Sequence, residues 1–156
     1  MKKISVLFML FSVAICTAQL KQVEESKSNL IEVGKIQPLG LPIQMSCITD
    51  SEKKFYGFTY LDTEYKQLKE YEKFALVETG NDFDTLYNMI IEGLKAKEEK
   101  SIKLELKENI IWVNFVRSFG MTLVTFSSIN GKNESLHKGT SNMFTKKQID
   151  KLFGKK

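Results

Sequence analysis

The stretch that decides the fold is Ile102–Phe126, IKLELKENIIWVNFVRSFGMTLVTF. Apolar residues alternate with polar ones through Ile102, Leu104 and Leu106, then again through Ile111, Val113 and Phe115. A period of two marks strands with one buried face. Reading Glu108-Asn109 as a two-residue turn sets Ile102 against Phe115, Leu104 against Val113 and Leu106 against Ile111. Every pair is then apolar, whereas a one-residue slip opposes Ile102 to Asn114. Phe119-Gly120 as the next turn sets Phe115 against Val124 and Val113 against Phe126. Three antiparallel strands with one common apolar face follow.

Helices flank this meander. On the N-terminal side, Phe83, Leu86, Tyr87, Ile90 and Leu94 recur at helical spacing and form one stripe. Asn81 or Asp82 can cap it, with Asp82 and Asp84 at its positive end and Lys95 and Lys97 at its negative end. On the C-terminal side, Thr145-Lys146-Lys147-Gln148 reads as a capping box with Phe144 and Ile149 as the hydrophobic staple, and Gly154 as the stop.

Further upstream, Ile43, Met45 and Cys47 alternate with polar residues, Asp50-Ser51-Glu52 makes a turn, and Tyr56, Phe58 and Tyr60 share a face. Residues 62–70 suit a short helical turn, and Lys73–Val77 reads as another strand. The order β-β-β-α-β-β-β-α implies an α+β class. The expectation is a single two-layer domain with a mostly antiparallel sheet of five to six strands and two helices packed on one face. Residues 19–40 are polar and punctuated by Gly34, Pro38 and Gly40, so they read as an irregular N-terminal arm, with the domain over 41–156.

Residues 1–18 have another purpose. Lys2-Lys3, an apolar run from Ile4 to Ile15 and the small residues Cys16-Thr17-Ala18 follow the order of a secretory signal peptide. The run is too short to cross a hydrocarbon core of about 30 Å. Cleavage after Ala18 leaves Gln19 first. Lipid attachment at Cys16 is disfavoured, because Ile15 stands where a small residue is needed. The expected location is periplasmic or extracellular in a Gram-negative bacterium, with no transmembrane segment in the mature chain.

The chain of 156 residues is 42% hydrophobic and 27% charged, which is globular composition. Loss of Lys2 and Lys3 lowers the formal charge of +4 by two. Arg117 is the sole arginine, and no basic-aromatic nucleic-acid motif is present, so nucleic acid is not an expected partner. Lysines gather between Lys132 and Lys156, a solvated face or a docking edge for an acidic partner. Cys47 stands alone once Cys16 has left, so neither an intramolecular disulfide nor a cysteine zinc site is expected.

Catalytic patterns are weak. His137 is the only histidine; Cys47 and His137 are conceivable as nucleophile and base, but read more simply as a core residue and a loop residue. Asp82 with Asp84 reads as a helix start, and Glu98-Glu99 as solvated loop. Asn81, Asp82 and Asp84 lack the twelve-residue calcium-loop pattern. No P-loop or G-x-G-x-x-G is present. Asn133-Glu134-Ser135 is a formal glycosylation sequon in an exposed loop. No catalytic residue, metal site or cofactor is assigned.

The register supplies a binding candidate instead. Ile110, Trp112, Asn114, Val116 and Leu123 fall on the sheet face away from the core. Apolar groups there are either covered, by the N-terminal hairpin or the arm, or functional. The layout of a leader and a small antiparallel α+β domain is similar to that of many uncharacterised envelope proteins of Gram-negative bacteria. It carries no motif, so no residue role comes with it. The sequence therefore reads as an exported, non-enzymatic binding or interaction protein with a protein or other envelope partner, a class of which inhibitor and immunity proteins are one subtype. The alternative is a small periplasmic hydrolase with an unrecognised site.

Overall fold

A computed structural model describes residues 29–155, Ser51 excepted. The expected leader, its cleavage point, Cys16 and residues 19–28 of the arm lie outside the described residues. The chain is α+β, with antiparallel strands throughout. The strands are β1 (Asn29–Ile36), β2 (Ile43–Asp50), β3 (Lys53–Leu61), β4 (Tyr71–Val77), β5 (Lys100–Glu105), β6 (Asn109–Ser118), β7 (Met121–Asn130) and β8 (Gly139–Thr140). The helices are α1 (Asp82–Ala96) and α2 (Lys146–Leu152).

The single sheet of five to six strands expected from the sequence is replaced by two sheets of four strands, ordered β1-β2-β3-β4 and β5-β6-β7-β8. The physical reason is α1. It separates β4 from β5, each of which ends as the edge of its own sheet. Their core faces meet through aromatic rings: Phe126 of β7 lies 6.2 Å from Phe58 of β3 and 6.1 Å from Phe74 of β4. The helices do not share one face. α1 packs against β4, β6 and β7, while α2 packs against β1 and β2.

Two further strands, one of eight residues and one of two, account for the larger strand count. Asn29–Ile36, read as part of an irregular arm, pairs along β2 with a bulge between Glu32 and Gly34. The bulge breaks the alternation that would have marked it as a strand. Gly139–Thr140 is only two residues long, too short for a periodic signal.

The register of β6 and β7 is as the sequence implies, with Phe115 opposite Val124 and Val113 opposite Phe126. Phe119 and Gly120 both have positive φ, 51° and 75°, the backbone of a tight hairpin turn. The β5–β6 register differs by two residues: Ile102 opposes Val113 and Leu104 opposes Ile111. The turn centres on Lys107-Glu108, because the Leu106 amide donates to the Asn109 carbonyl at 2.8 Å. Asn109 is a strand residue with a buried side chain that donates to the Ile129 carbonyl. A shift of two preserves which face each side chain takes, so the core assignment survives.

The helix ends follow the sequence closely. Thr145 caps α2 with both halves of the capping box formed, and Phe144 and Ile149 are buried beneath it. At α1 the cap residue is Asn81, without a side-chain bond. The first turn is held instead by Asp82, which accepts from the Thr79 amide and hydroxyl, and by Glu78, which accepts from the Phe83 amide.

Candidate functional site

The outer face of the second sheet holds the five residues singled out by the register. Alternation along β6 and β7 puts Ile110 with Ile129, Trp112 with Ser127, Asn114 with Thr125, and Val116 with Leu123 on the side away from Val113 and Phe126. Ile110 and Ile129 are buried. Trp112, Asn114, Val116 and Leu123 are half-buried. Asn114 is committed inside the sheet: its amide donates to Ser127 Oγ at 3.1 Å and its oxygen accepts from Ser101 at 2.7 Å.

Residues 131–138 run along this face. Lys132 pairs with Glu105 and Glu134 with Lys103, both outward side chains of β5. The Lys138 ammonium stands 4.6 Å from the Trp112 ring centroid, with Lys103 at 5.8 Å. The apolar line then continues past the sequence-derived set. Met121 shares the parity of Leu123 and is 53% exposed, and Phe119 at the hairpin tip is 95% exposed. A ring left so fully in water at a turn is the feature sequence reasoning passed over. Its signal was Phe119-Gly120 itself, a bulky apolar residue in a turn position that favours Asn or Asp.

A second constellation forms where the two sheets meet. The spacing Tyr56, Phe58, Tyr60 runs on to Asp62, so a carboxylate occupies the next core-facing position beyond β3. Glu72 opposes Tyr60 on β4 and takes the same face as Phe74. Across from them, the Tyr60 hydroxyl bonds to Ser128 Oγ at 2.6 Å and to the Gly139 carbonyl at 3.0 Å. A Cβ on Gly139 would fall 2.1 Å from Glu72 Cγ, so glycine alone admits the Glu72 side chain here.

His137, just before β8, completes this group. Its Nε2 lies 2.5 Å from Asp62 Oδ2, its Nδ1 4.0 Å from Glu64, and its ring meets Tyr65 edge-on at 4.8 Å. Asp62 is 1% exposed and also accepts from the amides of Glu64 and Thr140. Burial pushes the Asp62 carboxyl up, but the bonds from His137 and the two amides outweigh it and hold the group below the usual carboxylate range. Asp62 raises the imidazole above its ordinary value by its hydrogen bond and its charge. Burial and then the Asp62 charge push Glu72 up.

No protein-family model, curated protein or solved structure matches the chain. Function therefore has to be argued from these two places.

The remaining sequence candidates are dispersed. Cys47 is buried opposite Tyr56. Asp62 lies six residues further along β3 and its extension, which is about 20 Å at strand rise, so Cys47 and His137 are not a pair. Asp82 is bonded to Thr79 and Asp84 to Lys155, so these carboxylates serve the start of α1. Glu99 accepts from the Arg117 amide. Asn133 of the sequon is exposed and accepts from the Ser135 amide.

Proposed function

We propose that this is an exported, non-enzymatic binding protein that engages a protein partner through the outer face of its second sheet. The observation that carries the reading is Phe119, 95% exposed at the tip of the β6–β7 hairpin and followed on the outer face by Met121, Leu123 and Val116, with Trp112 beyond Asn114. Apolar area left in water weakens nothing in the fold when removed, and aromatic anchors of this kind dominate many interfaces. The surroundings are cationic. Lys138 makes no salt bridge among the described residues and stands over Trp112, while Lys97, Arg117 and Lys147, equally without one, line a crevice on the helix side of the same hairpin that reaches Met121 and Leu123. The partner that fits presents an apolar pocket rimmed by carboxylates. Export rests on the leader anatomy of residues 1–18. A hydrolase is the weaker reading, since among the described residues no hydroxyl or thiol bonds to His137 and the Cys47 thiol is remote from it.

A photo-crosslinking residue placed at position 119 tests this in the cell envelope, with one at Leu68, 70% exposed on the β3–β4 connection, as a control. A discrete adduct from position 119 alone, weakened by salt, is expected. No adduct, or the same adducts from both positions, refutes the reading.

A further inference from the structure

We propose that Asp62, Glu72 and His137 form a binding site for a divalent transition-metal ion of the zinc class, placed where the two sheets meet. One ligand atom from each residue lies within 4.8 Å of the other two. One imidazole nitrogen and two carboxylate oxygens are a donor set that suits such ions.

Placement argues for a ligand more than the count does. Asp62 and Glu72 occupy core-facing positions in the strand alternation, where Phe58, Tyr60 and Phe74 precede or follow them. Two carboxylates brought together at a sheet junction repel one another and lose hydration. Neither makes a salt bridge to a lysine or arginine among the described residues. Among the described residues the groups that face them are the His137 ring on Asp62 and the Asn130 side-chain amide, which donates to Glu72 at 3.4 Å, and neither is a fixed positive charge. An ion of charge two balances the pair and frees the imidazole nitrogen from its proton.

The geometry needs little change. Ligand atoms around a zinc ion at about 2.0–2.2 Å stand roughly 3–3.5 Å apart. His137 Nε2 and Asp62 Oδ2, now 2.5 Å apart, must separate slightly, and Glu72 must close in. His137 sits on the loop before β8 and its side chain is 37% exposed, so it can move and water can fill the remaining positions. Asp62 is fixed by the Glu64 and Thr140 amides through Oδ1, which leaves Oδ2 to the ion. The three ligands come from the ends of β3, β4 and the approach to β8. A bound ion therefore ties the first sheet to the second.

The probes are zinc for affinity and cobalt for its visible absorption, added to the untagged full chain after treatment with chelator. Saturable uptake of one ion per chain is expected, with cobalt bands showing nitrogen and oxygen ligation and a rise in melting temperature. Lys138, next to His137, stands over Trp112, so the fluorescence of the sole tryptophan should change with uptake. His137→Gln and Glu72→Gln, both at partly accessible positions, should each lower affinity by at least about tenfold, the scale on which metal sites respond to disturbed ligands. Circular dichroism confirms that these variants fold. Absence of saturable uptake by the wild-type chain overturns the proposal. So does uptake unchanged in either variant, because the ion then sits elsewhere or lacks one of the three ligands.

Discussion

Replacing Gly93 by alanine sets helix propensity directly against packing. Gly93 lies inside α1, where alanine is the better helix former by about 0.8–1.0 kcal/mol. Propensity alone therefore calls for a more stable protein. Packing calls for the opposite. A Cβ at position 93 falls 2.2 Å from Cζ and 2.3 Å from Cε1 of Phe115. Carbon atoms rest at about 3.5–4.0 Å, so the ring must retreat by more than about 1 Å. Phe115 is 1% exposed, sits opposite Val124 and belongs to the continuous core, so the retreat displaces packed neighbours. Overpacking of this kind costs about 1–3 kcal/mol and more where the backbone must shift. The clash lies at the upper end, so the net expectation is a loss of about 1–2 kcal/mol. For a chain of this size that is roughly 3–6 °C in melting temperature. Urea melts of wild type, Gly93→Ala, Phe115→Leu and the double variant form a cycle. In the Phe115→Leu background the distal ring atoms are gone, so the alanine should become neutral or stabilising. A Gly93→Ala protein as stable as wild type would refute the packing of α1 on β6.

Other outcomes follow from single contacts. Tyr60→Phe removes the hydroxyl shared with Ser128 and Gly139 and should cost about 1–3 kcal/mol in urea, the penalty of leaving buried polar atoms unpaired. Thr145→Ala deletes the side-chain half of the α2 capping box, leaving the bond from its own amide to Gln148, and should cost about 1 kcal/mol; no change in the urea midpoint would mean α2 is not held by its cap. Asp150 accepts from Tyr87 and Lys146, and these bonds outweigh burial to hold its carboxyl below the ordinary value. A lowered folded-state value contributes stability above the unfolded value near 3.8 that is lost as pH falls through the folded one. The stability gap between wild type and Asp150→Asn should accordingly be full at pH 6 and vanish in strong acid; a gap independent of pH would contradict the pairing. The Cys47 thiol, buried on β2, should react with a thiol reagent far more slowly in the native state than in denaturant.

The candidate sites were legible in different degrees. Trp112, Val116 and Leu123 could be assigned to the outer face from parity alone, because parity survived the two-residue error in the β5–β6 turn. Whether that face was covered was beyond the sequence. The arm was suspected, yet residues 29–36 pair with β2 in the other sheet, and it is residues 131–138 that bond to β5 here. Asp62 and Glu72 were passed over because each lies at the end of a strand, where a polar residue reads as the start of a turn. His137 was noticed only as a solitary histidine. Its partner Asp62 is 75 residues away, and no local pattern encodes a contact across that separation.

By itself, the sequence determined what depends on neighbours along the chain. The α1 stripe, the α2 capping box, the Phe119-Gly120 turn and the inward faces of β2, β3, β6 and β7 are set by alternation, helical period and turn chemistry within a few residues. Only the tertiary structure decided which strands share a sheet. β4 and β5 have the same alternation whether they pair or part, and hydrophobic burial has no direction of its own. The split into two sheets depends on α1 filling the space between them, with the rings of Phe58, Phe74 and Phe126 meeting in the core. That same meeting brings Asp62 and Glu72 of one sheet against His137 at the edge of the other, so this cluster exists only in three dimensions.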